Sequence, residues 1–263
     1  MIAVAHIQNP FRAALAKGRP LAGIWSMLNS SNVVEGLGWA GFDWLLIDGE
    51  HSPVSLSDAI SHLRALAATP TIPIVRVAWN NHVMLKQYLD LGAQTIMVPY
   101  IQNAQEARDA VASTRYPPEG HRGFAAMHRA SQFGAIADYV RYADKSIFMI
   151  VQVETLAAIN EIDSIAVVPG VNAVFFGPGD LSASMGMLGH PHDPEVTRVI
   201  ESAAAKVRAA GKAVGVLASN SDLATHYMSA GFDFVSVTSD CNLLFSQART
   251  VSRHFCQTGN PQA

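Results

Sequence analysis

Cysteine is scarce in this sequence of 263 residues, which contains only Cys241 and Cys256. Two thiols are too few and too sparsely placed to provide a disulfide framework or a thiolate metal site. We therefore interpret both as reduced, structural cysteines. A small domain stabilised by disulfides is excluded.

An excess of positive charge is also missing, since 18 Lys and Arg stand against 21 Asp and Glu. The basic residues are scattered rather than gathered in stripes, which argues against nucleic acid as a partner. No apolar run is long and uncharged enough to span a bilayer, and residues 1–6 lack the basic start of a signal peptide. The sequence predicts a cytoplasmic protein with no membrane partner.

Apolar residues are abundant, at 49% against 15% charged residues, which suits elements buried on several sides and an oligomer interface. One phrase occurs four times: a glycine, a small or aromatic residue, an Asp, Gln or Asn, and then an apolar run. It begins at Gly41, Gly92, Gly170 and Gly231. Each glycine follows a plausible helix, where a left-handed cap would end it. This pattern is typical of a repeating β-α unit.

Eight strands and eight helices alternate in the predicted order. The strands are placed near 22–28, 43–49, 73–79, 95–101, 147–154, 173–178, 213–218 and 233–239, and the helices near 31–40, 55–68, 81–91, 103–113, 156–166, 194–210, 220–230 and 241–255. This order predicts one α/β domain over residues 1–263, a closed (β/α)8 TIM barrel. An extra N-terminal helix near 10–17 is expected to close its bottom. The long segment 113–137 is expected to be functional or to contact a partner.

The second predicted strand ends abruptly in ionisable residues, Asp48, Glu50 and His51. The active site of such a barrel is built from the carboxyl ends of its strands. The other strand ends supply Arg76 and Trp79, Gln102, Gln152 and Glu154, Gly177, Gly179 and Asp180, and Ser239 and Asp240. No lysine is placed at a strand end, so a Schiff-base mechanism is not supported.

Glu154 and Asp180 end consecutive strands, which would bring two carboxylates within reach of one cation. Oxygen-only ligation favours Mg²⁺ or Mn²⁺ over zinc, with Co²⁺ as an alternative. The competing interpretation is two solvated acids or helix caps. Between them, the sequence Gly177-Pro178-Gly179 would let backbone N–H groups approach a small carboxylate, or would simply form a tight turn.

His51 lies three residues beyond Asp48, close enough for that carboxylate to hold one ring nitrogen. The other nitrogen would then act as a base, directly or through a metal-bound water, unless His51 is a plain surface residue at a helix start. Arg76 interrupts an apolar strand and needs an anionic partner. It would bind the substrate's keto oxygen and stabilise negative charge there, or else form a structural ion pair.

Several runs together resemble the HpcH/HpaI family of class II pyruvate aldolases. They are residues 43–53, 98–104, 116–123, 151–155 and 177–186, and the likeness extends over nearly the whole chain. The resemblance implies that Glu154 and Asp180 are the metal ligands and that His51, paired with Asp48, is the base. Arg76 would support the enolate, and Glu50 would be an outer or packing residue.

The resemblance also implies a set of residues around the keto acid. These substrate-binding residues are Trp25, Arg76, Gln152, Gly177, Pro178, Gly179, Asp180 and Leu217. Gly179 stands where some relatives have alanine, and the smaller glycine would slightly widen the donor pocket. Family members form hexamers that exchange a C-terminal helix, and Asp90 matches an aspartate that enters a neighbouring subunit's site. The alternative for Asp90 is an acid at a helix end with no role.

The sequence thus predicts a divalent-metal-dependent aldolase, a carbon–carbon lyase that makes or cleaves 4-hydroxy-2-oxo acids. Its donor would be pyruvate or hydroxypyruvate and its acceptor an aldehyde. One alternative is a citrate-lyase-like enzyme acting on an acyl-CoA, which requires a basic patch such as Arg122 with Arg129. A second alternative is a barrel that binds a keto acid without turning it over.

Overall fold

The computed structural model describes residues 8–218 and 220–256. Eight parallel strands form a closed barrel in chain order, which confirms the predicted (β/α)8 fold. The strands are β1 (Leu21–Ser26), β2 (Trp44–Asp48), β3 (Ile72–Arg76), β4 (Thr95–Val98), β5 (Phe148–Val153), β6 (Val171–Phe176), β7 (Ala213–Leu217) and β8 (Phe234–Ser239). Each pairs in parallel with the next, and β8 closes on β1.

Helices follow the strands and cover the outside of the barrel. They are α1 (Pro10–Leu15), α2 (Ser31–Gly38), α3 (Leu56–Leu66), α4 (His82–Asp90), α5 (Ala104–Ala112), α6 (Ala143–Ser146), α7 (Leu156–Asn160), α8 (Ile162–Ala166), α9 (Pro178–Ser184), α10 (Pro194–Ala209), α11 (Ser221–Ser229) and α12 (Asp240–Cys256). The glycines of the repeated phrase, 41, 92, 170 and 231, have φ of 95°, 92°, 99° and 84°. That left-handed conformation is the predicted one, and it explains why glycine recurs there.

Side chains alternate between the two faces of each strand and so divide the core in two. In β2, Trp44 and Leu46 point into the barrel, whereas Leu45 and Ile47 pack under the helices. All five residues of this strand are buried, as expected where both faces of a parallel sheet are covered. The same alternation decides which side chains at the strand ends point inward.

Helix α1 closes the bottom of the barrel, as predicted. Its Phe11 is fully buried and meets the rings of Trp44, Phe148 and Phe234 edge-on, with ring centroids 6.5, 5.3 and 5.2 Å away. These three residues lie at or near the beginnings of their strands. Asn9 caps the helix by accepting a hydrogen bond from the Arg12 N–H, and Pro10 occupies its first turn.

One predicted helix differs from the structure. The helix predicted over 156–166 is divided into α7 and α8, because the backbone at Glu161 leaves helical geometry (φ −94°, ψ 7°). After Gly177, where the alternatives were an anion site and a tight turn, residues 178–184 form the short helix α9. The long segment 113–137 includes a 3-10 turn at Arg129–Ser131, and its function or partner contact stays a prediction.

The C-terminal helix α12 spans Asp240–Cys256, close to its prediction, and Asp240 is its one buried residue. Its exchange between subunits stays a prediction, as does a single domain over residues 1–263. Among the described residues, no helix is both long and apolar enough to cross a membrane.

Candidate active site

A cavity of about 420 Å³ opens at the carboxyl ends of the strands. Ten residues predicted to form the site line it: Trp25, His51, Arg76, Gln152, Glu154, Gly177, Pro178, Gly179, Asp180 and Leu217. Met27, Phe175, Ala218, Thr238, Ser239 and Asn242 complete the lining. The structure therefore brings most of the predicted site residues together at the carboxyl ends of the strands.

Alternation along the strands explains why these side chains converge. Asp48 lies two residues beyond Leu46, Arg76 two beyond Ile74, and Gln152 two beyond Ile150. The three apolar residues belong to the cluster inside the barrel. Because side chains two apart share a face, the polar residues extend that inward face to the barrel mouth.

Asp48 and Arg76 are paired in register across β2 and β3 and form a buried ion pair. Arg76 Nε donates to Asp48 Oδ1 at 2.9 Å and Nη2 donates to Oδ2 at 2.7 Å, while the Trp25 indole N–H donates to Oδ2 at 3.1 Å. Burial raises the pKa of Asp48, but the hydrogen bonds and charge of Arg76 outweigh burial and hold it below its usual range. The predicted need of Arg76 for an anionic partner is confirmed.

The predicted pairing of Asp48 with the His51 ring is wrong. Asp48 Oδ1 accepts hydrogen bonds from the backbone N–H groups of Glu50 and His51, at 3.0 and 3.4 Å, and both of its oxygens are bonded to Arg76. The His51 side chain is 61% exposed, and its Nε2 lies 3.9 Å from Glu50 Oε1. The guanidinium of Arg76, in register with Asp48, binds both carboxylate oxygens. The imidazole of His51 instead lines the cavity.

Glu50 contributes a second carboxylate to Arg76. Its Oε2 lies 2.7 Å from Arg76 Nη1, and burial raises the pKa of Glu50. This contact agrees with the outer role expected for Glu50. Arg76 is thus held between two acids, and its Cζ lies 4.8 Å from the centre of the Trp25 ring.

Glu154 is buried, and both of its oxygens accept hydrogen bonds. Oε1 accepts from the backbone N–H of Tyr100 at 3.0 Å, and Oε2 accepts from Gln152 Nε2 at 2.5 Å. Gln152 Oε1 in turn accepts from Arg76 Nη1 at 3.4 Å. Gln152 therefore links the cationic and the acidic parts of the site.

The acidic part of the site carries more negative charge than Arg76 can neutralise. Burial, together with the charges of Glu50 and Asp180, raises the pKa of Glu154 to about 7. Crowded carboxylates of this kind fit a divalent cation, which would relieve their repulsion. Within the described residues no three His, Cys, Asp or Glu side chains form a ligand cluster, so such a cation would need further oxygen ligands besides Glu154 and Asp180.

Gly177 is required by the close approach of Glu154. A Cβ atom on Gly177 would lie 2.5 Å from Glu154 Oε2 and 3.0 Å from Gln152 Nε2. At Gly179 a Cβ atom would meet nothing within 4 Å. The segment is therefore more than a tight turn, because Gly177 makes room for the carboxylate and Pro178 starts α9, whose first turn contains Asp180.

Asp90, Arg122 and Arg129 are among the predicted residues that lie outside the cavity lining. Asp90, at the end of α4, pairs with Arg122 of its own chain at 2.7 Å, and its entry into a neighbouring site stays a prediction. Arg122 is buried, and Arg129 donates to the Leu91 carbonyl at 2.8 Å. These two arginines therefore do not form the basic patch at the barrel mouth that the acyl-CoA alternative requires.

Sequence reasoning missed the roles of Tyr100 and Asp240. Tyr100 contributes a backbone N–H, which leaves no mark on residue type. Asp240 binds the backbone N–H groups of Met27 and Leu28, at 2.9 and 3.1 Å, and joins α12 to the end of β1. An acid at a strand end can thus have a purely structural role, and only its contacts distinguish it from an acid that belongs to the active site.

A parallel barrel with acids, an arginine and a histidine at its mouth defines a class of enzymes that work on small oxygen-rich substrates. Residues 21–247 match the family model described as HpcH/HpaI aldolase/citrate lyase. The chain belongs to this family, and it is a carbon–carbon lyase of the aldolase type.

Individual relatives cover nearly all of the chain. A 4-hydroxy-2-oxo-heptane-1,7-dioate aldolase of Salmonella dublin is 47% identical over 95% of both chains. The crystal structure of an HpcH/HpaI aldolase/citrate lyase family protein from Burkholderia cenocepacia J2315 is 38% identical, with a TM-score of 0.90 over 94% of this chain and 99% of that one. An HpcH/HpaI aldolase from Desulfitobacterium hafniense DCB-2 is 26% identical, with a TM-score of 0.84 over 95% and 97%.

Proposed function

We propose that the chain is a divalent-metal-dependent class II aldolase that makes or cleaves 4-hydroxy-2-oxo acids, with pyruvate or hydroxypyruvate as donor and an aldehyde as acceptor. The observation that carries the proposal is the buried carboxylate of Glu154 beside Asp180 and Arg76 in one cavity. Support also comes from the 47% identity to an aldolase acting on a compound of this class.

Glu154 and Asp180 are the residues that would hold the cation, with Mg²⁺ or Mn²⁺ favoured by their all-oxygen chemistry. A cation bound there supplies Lewis acidity to the keto oxygen of the donor. The protein supplies the rest through fixed groups. Glu154 is anchored on both oxygens, by Tyr100 and Gln152, and is thereby oriented before any substrate arrives.

Arg76 provides the positive charge that stabilises the donor's oxygen as the carbon–carbon bond breaks. Its guanidinium is fixed by Asp48 and Glu50, so little reorganisation is needed during the reaction. His51 is the group that moves the proton, because it is the one histidine among the described residues that line the cavity. Trp25 and Leu217 form apolar walls around the donor and acceptor.

The test is pyruvate release from a 4-hydroxy-2-oxo acid, measured before and after a chelator and after Mg²⁺ or Mn²⁺ is restored. We expect loss and recovery of turnover. Glu154→Gln should remove metal-dependent turnover, whereas Glu161→Gln, which changes an exposed glutamate bonded to Ser164, should not. Full turnover in metal-free protein would overturn the mechanism, and no turnover with any 2-oxo acid would overturn the function.

We also propose a homo-oligomer, a hexamer by resemblance, in which α12 packs against another subunit. Large apolar side chains of this helix are exposed in the single chain: Leu243, Leu244, Phe245, Val251 and Phe255. Light scattering of the purified chain should give the mass of an oligomer. Replacing Leu244 and Val251 by serine should lower that mass. A cytoplasmic location remains a prediction from the sequence.

A further inference from the structure

The turn after β4 contacts Glu154 at the end of the neighbouring strand β5. Tyr100 has φ of 57°, a left-handed conformation that is unfavourable for an aromatic residue. In this conformation its backbone N–H donates to Glu154 Oε1 at 3.0 Å. A backbone that adopts a rare conformation at a functional carboxylate needs other contacts to hold it.

Gln102 supplies two of those contacts. Its Nε2 donates to the carbonyl of Tyr100 at 3.3 Å, and its Oε1 accepts from the hydroxyl of Thr155 at 2.6 Å. Thr155 directly follows Glu154 in the chain. The hydrogen bonds therefore close a ring from Glu154 through Tyr100 and Gln102 back to the residue beside Glu154.

The ring of Tyr100 is held from outside. It stacks on Trp79, with centroids 5.7 Å apart and planes at 28°. Both side chains are largely exposed, at 54% for Trp79 and 42% for Tyr100. Such a stacked pair restrains the side chain while its own backbone N–H is used at the carboxylate.

We propose that Gln102 is a positioning residue for Glu154, acting through the backbone of Tyr100, with Trp79 as a second support. The proposal rests on the proposed function, in which Glu154 is a cation ligand. Gln102 itself does not line the cavity. Through the Tyr100 N–H it holds Oε1 from one side, while Gln152 holds Oε2 from the other, and the carboxylate is thereby kept in one orientation. Outer partners of this kind tune metal affinity.

The test is a Mn²⁺ titration of the full chain, followed by electron paramagnetic resonance of the free ion. Gln102→Met keeps the length of the side chain and removes both hydrogen bonds. We expect Mn²⁺ binding to weaken about tenfold or more. The matched control is Gln105→Met, which changes an exposed glutamine that contacts Arg108 and Asp109 on α5, and it should bind Mn²⁺ like the parent chain.

Metal-free thermal unfolding separates positioning from a general structural role. If Gln102→Met lowers the unfolding midpoint but binds Mn²⁺ with the parent's affinity, the proposal is overturned. If that variant does not fold, Trp79→Leu decides, because Trp79 is 54% exposed and its replacement removes the stack on Tyr100 without opening the core. Weaker Mn²⁺ binding by Trp79→Leu supports the proposal, and unchanged binding refutes it.

Mn²⁺ binding by the parent chain and by Glu154→Gln tests Glu154 as a metal ligand separately from the positioning role of Gln102. Binding of Mn²⁺ by the parent, lost in Glu154→Gln, supports the proposed ligand whatever Gln102→Met does. If the parent binds no Mn²⁺, the metal-dependent function fails and the positioning role of Gln102 fails with it.

Discussion

Arg76 and Asp48 face each other in register across β3 and β2, and their two hydrogen bonds, at 2.9 and 2.7 Å, are buried at the barrel mouth. Among the described residues that line the cavity, Arg76 is the one arginine or lysine. The ion pair with Asp48 fixes its position. A structural ion pair and a substrate-binding arginine were alternatives from the sequence. The structure shows the ion pair, and under the proposed function this same pair orients the guanidinium toward the substrate.

Asp48→Asn should destabilise the chain and slow turnover. The substitution leaves a buried guanidinium with less compensating charge, and breaking such a pair costs about 3 kcal/mol of unfolding free energy. Glu50 would retain part of the contact, at 2.7 Å from Arg76. Urea unfolding and steady-state kinetics measure the two effects. Asp163→Asn, which breaks the exposed pair with Lys206, is the control and should change little. Parent-like stability and turnover in Asp48→Asn would contradict this account.

Gly177→Ala should impair cation binding, whereas Gly179→Ala should not. At Gly177 the new methyl group would lie 2.5 Å from Glu154 Oε2 and force the carboxylate to shift, but at Gly179 it would meet nothing within 4 Å. The pair is matched because both changes add one methyl group near the start of α9. Mn²⁺ titration of both variants measures the difference. Equal binding by the two would show that the fit around Glu154 is loose.

The fold could be predicted from the sequence because apolar runs and helix-ending glycines are features of short, continuous segments. The phrases at Gly41, Gly92, Gly170 and Gly231 marked helix ends, and each glycine has the expected positive φ. The break at Glu161 within the helix predicted over 156–166 was not predictable. No proline or glycine marks it, and the packing of α8 against α10 and β6 is a property of the assembled barrel.

The sequence predicts which residues form the site, but not which of their side chains bond to each other. The strand-end rule found Glu154, Asp180 and Arg76, since it depends only on where each strand stops. The partner of Asp48 depends on strand register, which a single sequence does not give, so spacing along the chain points to His51 although the structure pairs Asp48 with Arg76. The contact of the Tyr100 N–H with Glu154 was also beyond reach, because a backbone conformation with positive φ has no residue signature at tyrosine.

Metal-free protein should lose stability as the pH rises between 4.5 and about 7. Burial, Glu50 and Asp180 raise the pKa of Glu154 from 4.5 to about 7, so the folded chain holds this proton more tightly than the unfolded chain. Raising the pH through that window removes a proton that favours folding. The loss is on the order of a few kcal/mol and is complete above about pH 7.

Urea unfolding at several pH values, with a chelator present, measures this dependence. Other titrating groups also contribute, so the quantity to compare is the difference from Glu154→Gln, which has no proton to lose there. That variant should lack this part of the slope, and Glu161→Gln should keep it. Parallel profiles for the parent and Glu154→Gln would show that Glu154 titrates normally.

His51→Ala should abolish turnover while leaving cation and donor binding intact. The ring lines the cavity, is 61% exposed, and has only a distant ion-pair contact with Glu50, at 3.9 Å. Its removal therefore costs little in stability, whereas loss of the general base is expected to slow catalysis by about 10²–10⁴-fold. His226→Ala is the control, because His226 is also exposed and pairs with Glu201 at 2.7 Å far from the cavity lining. Pyruvate binding by calorimetry and aldol cleavage rates separate the two roles: unchanged turnover would exclude His51 as the base, and lost pyruvate binding would reassign it to holding the donor.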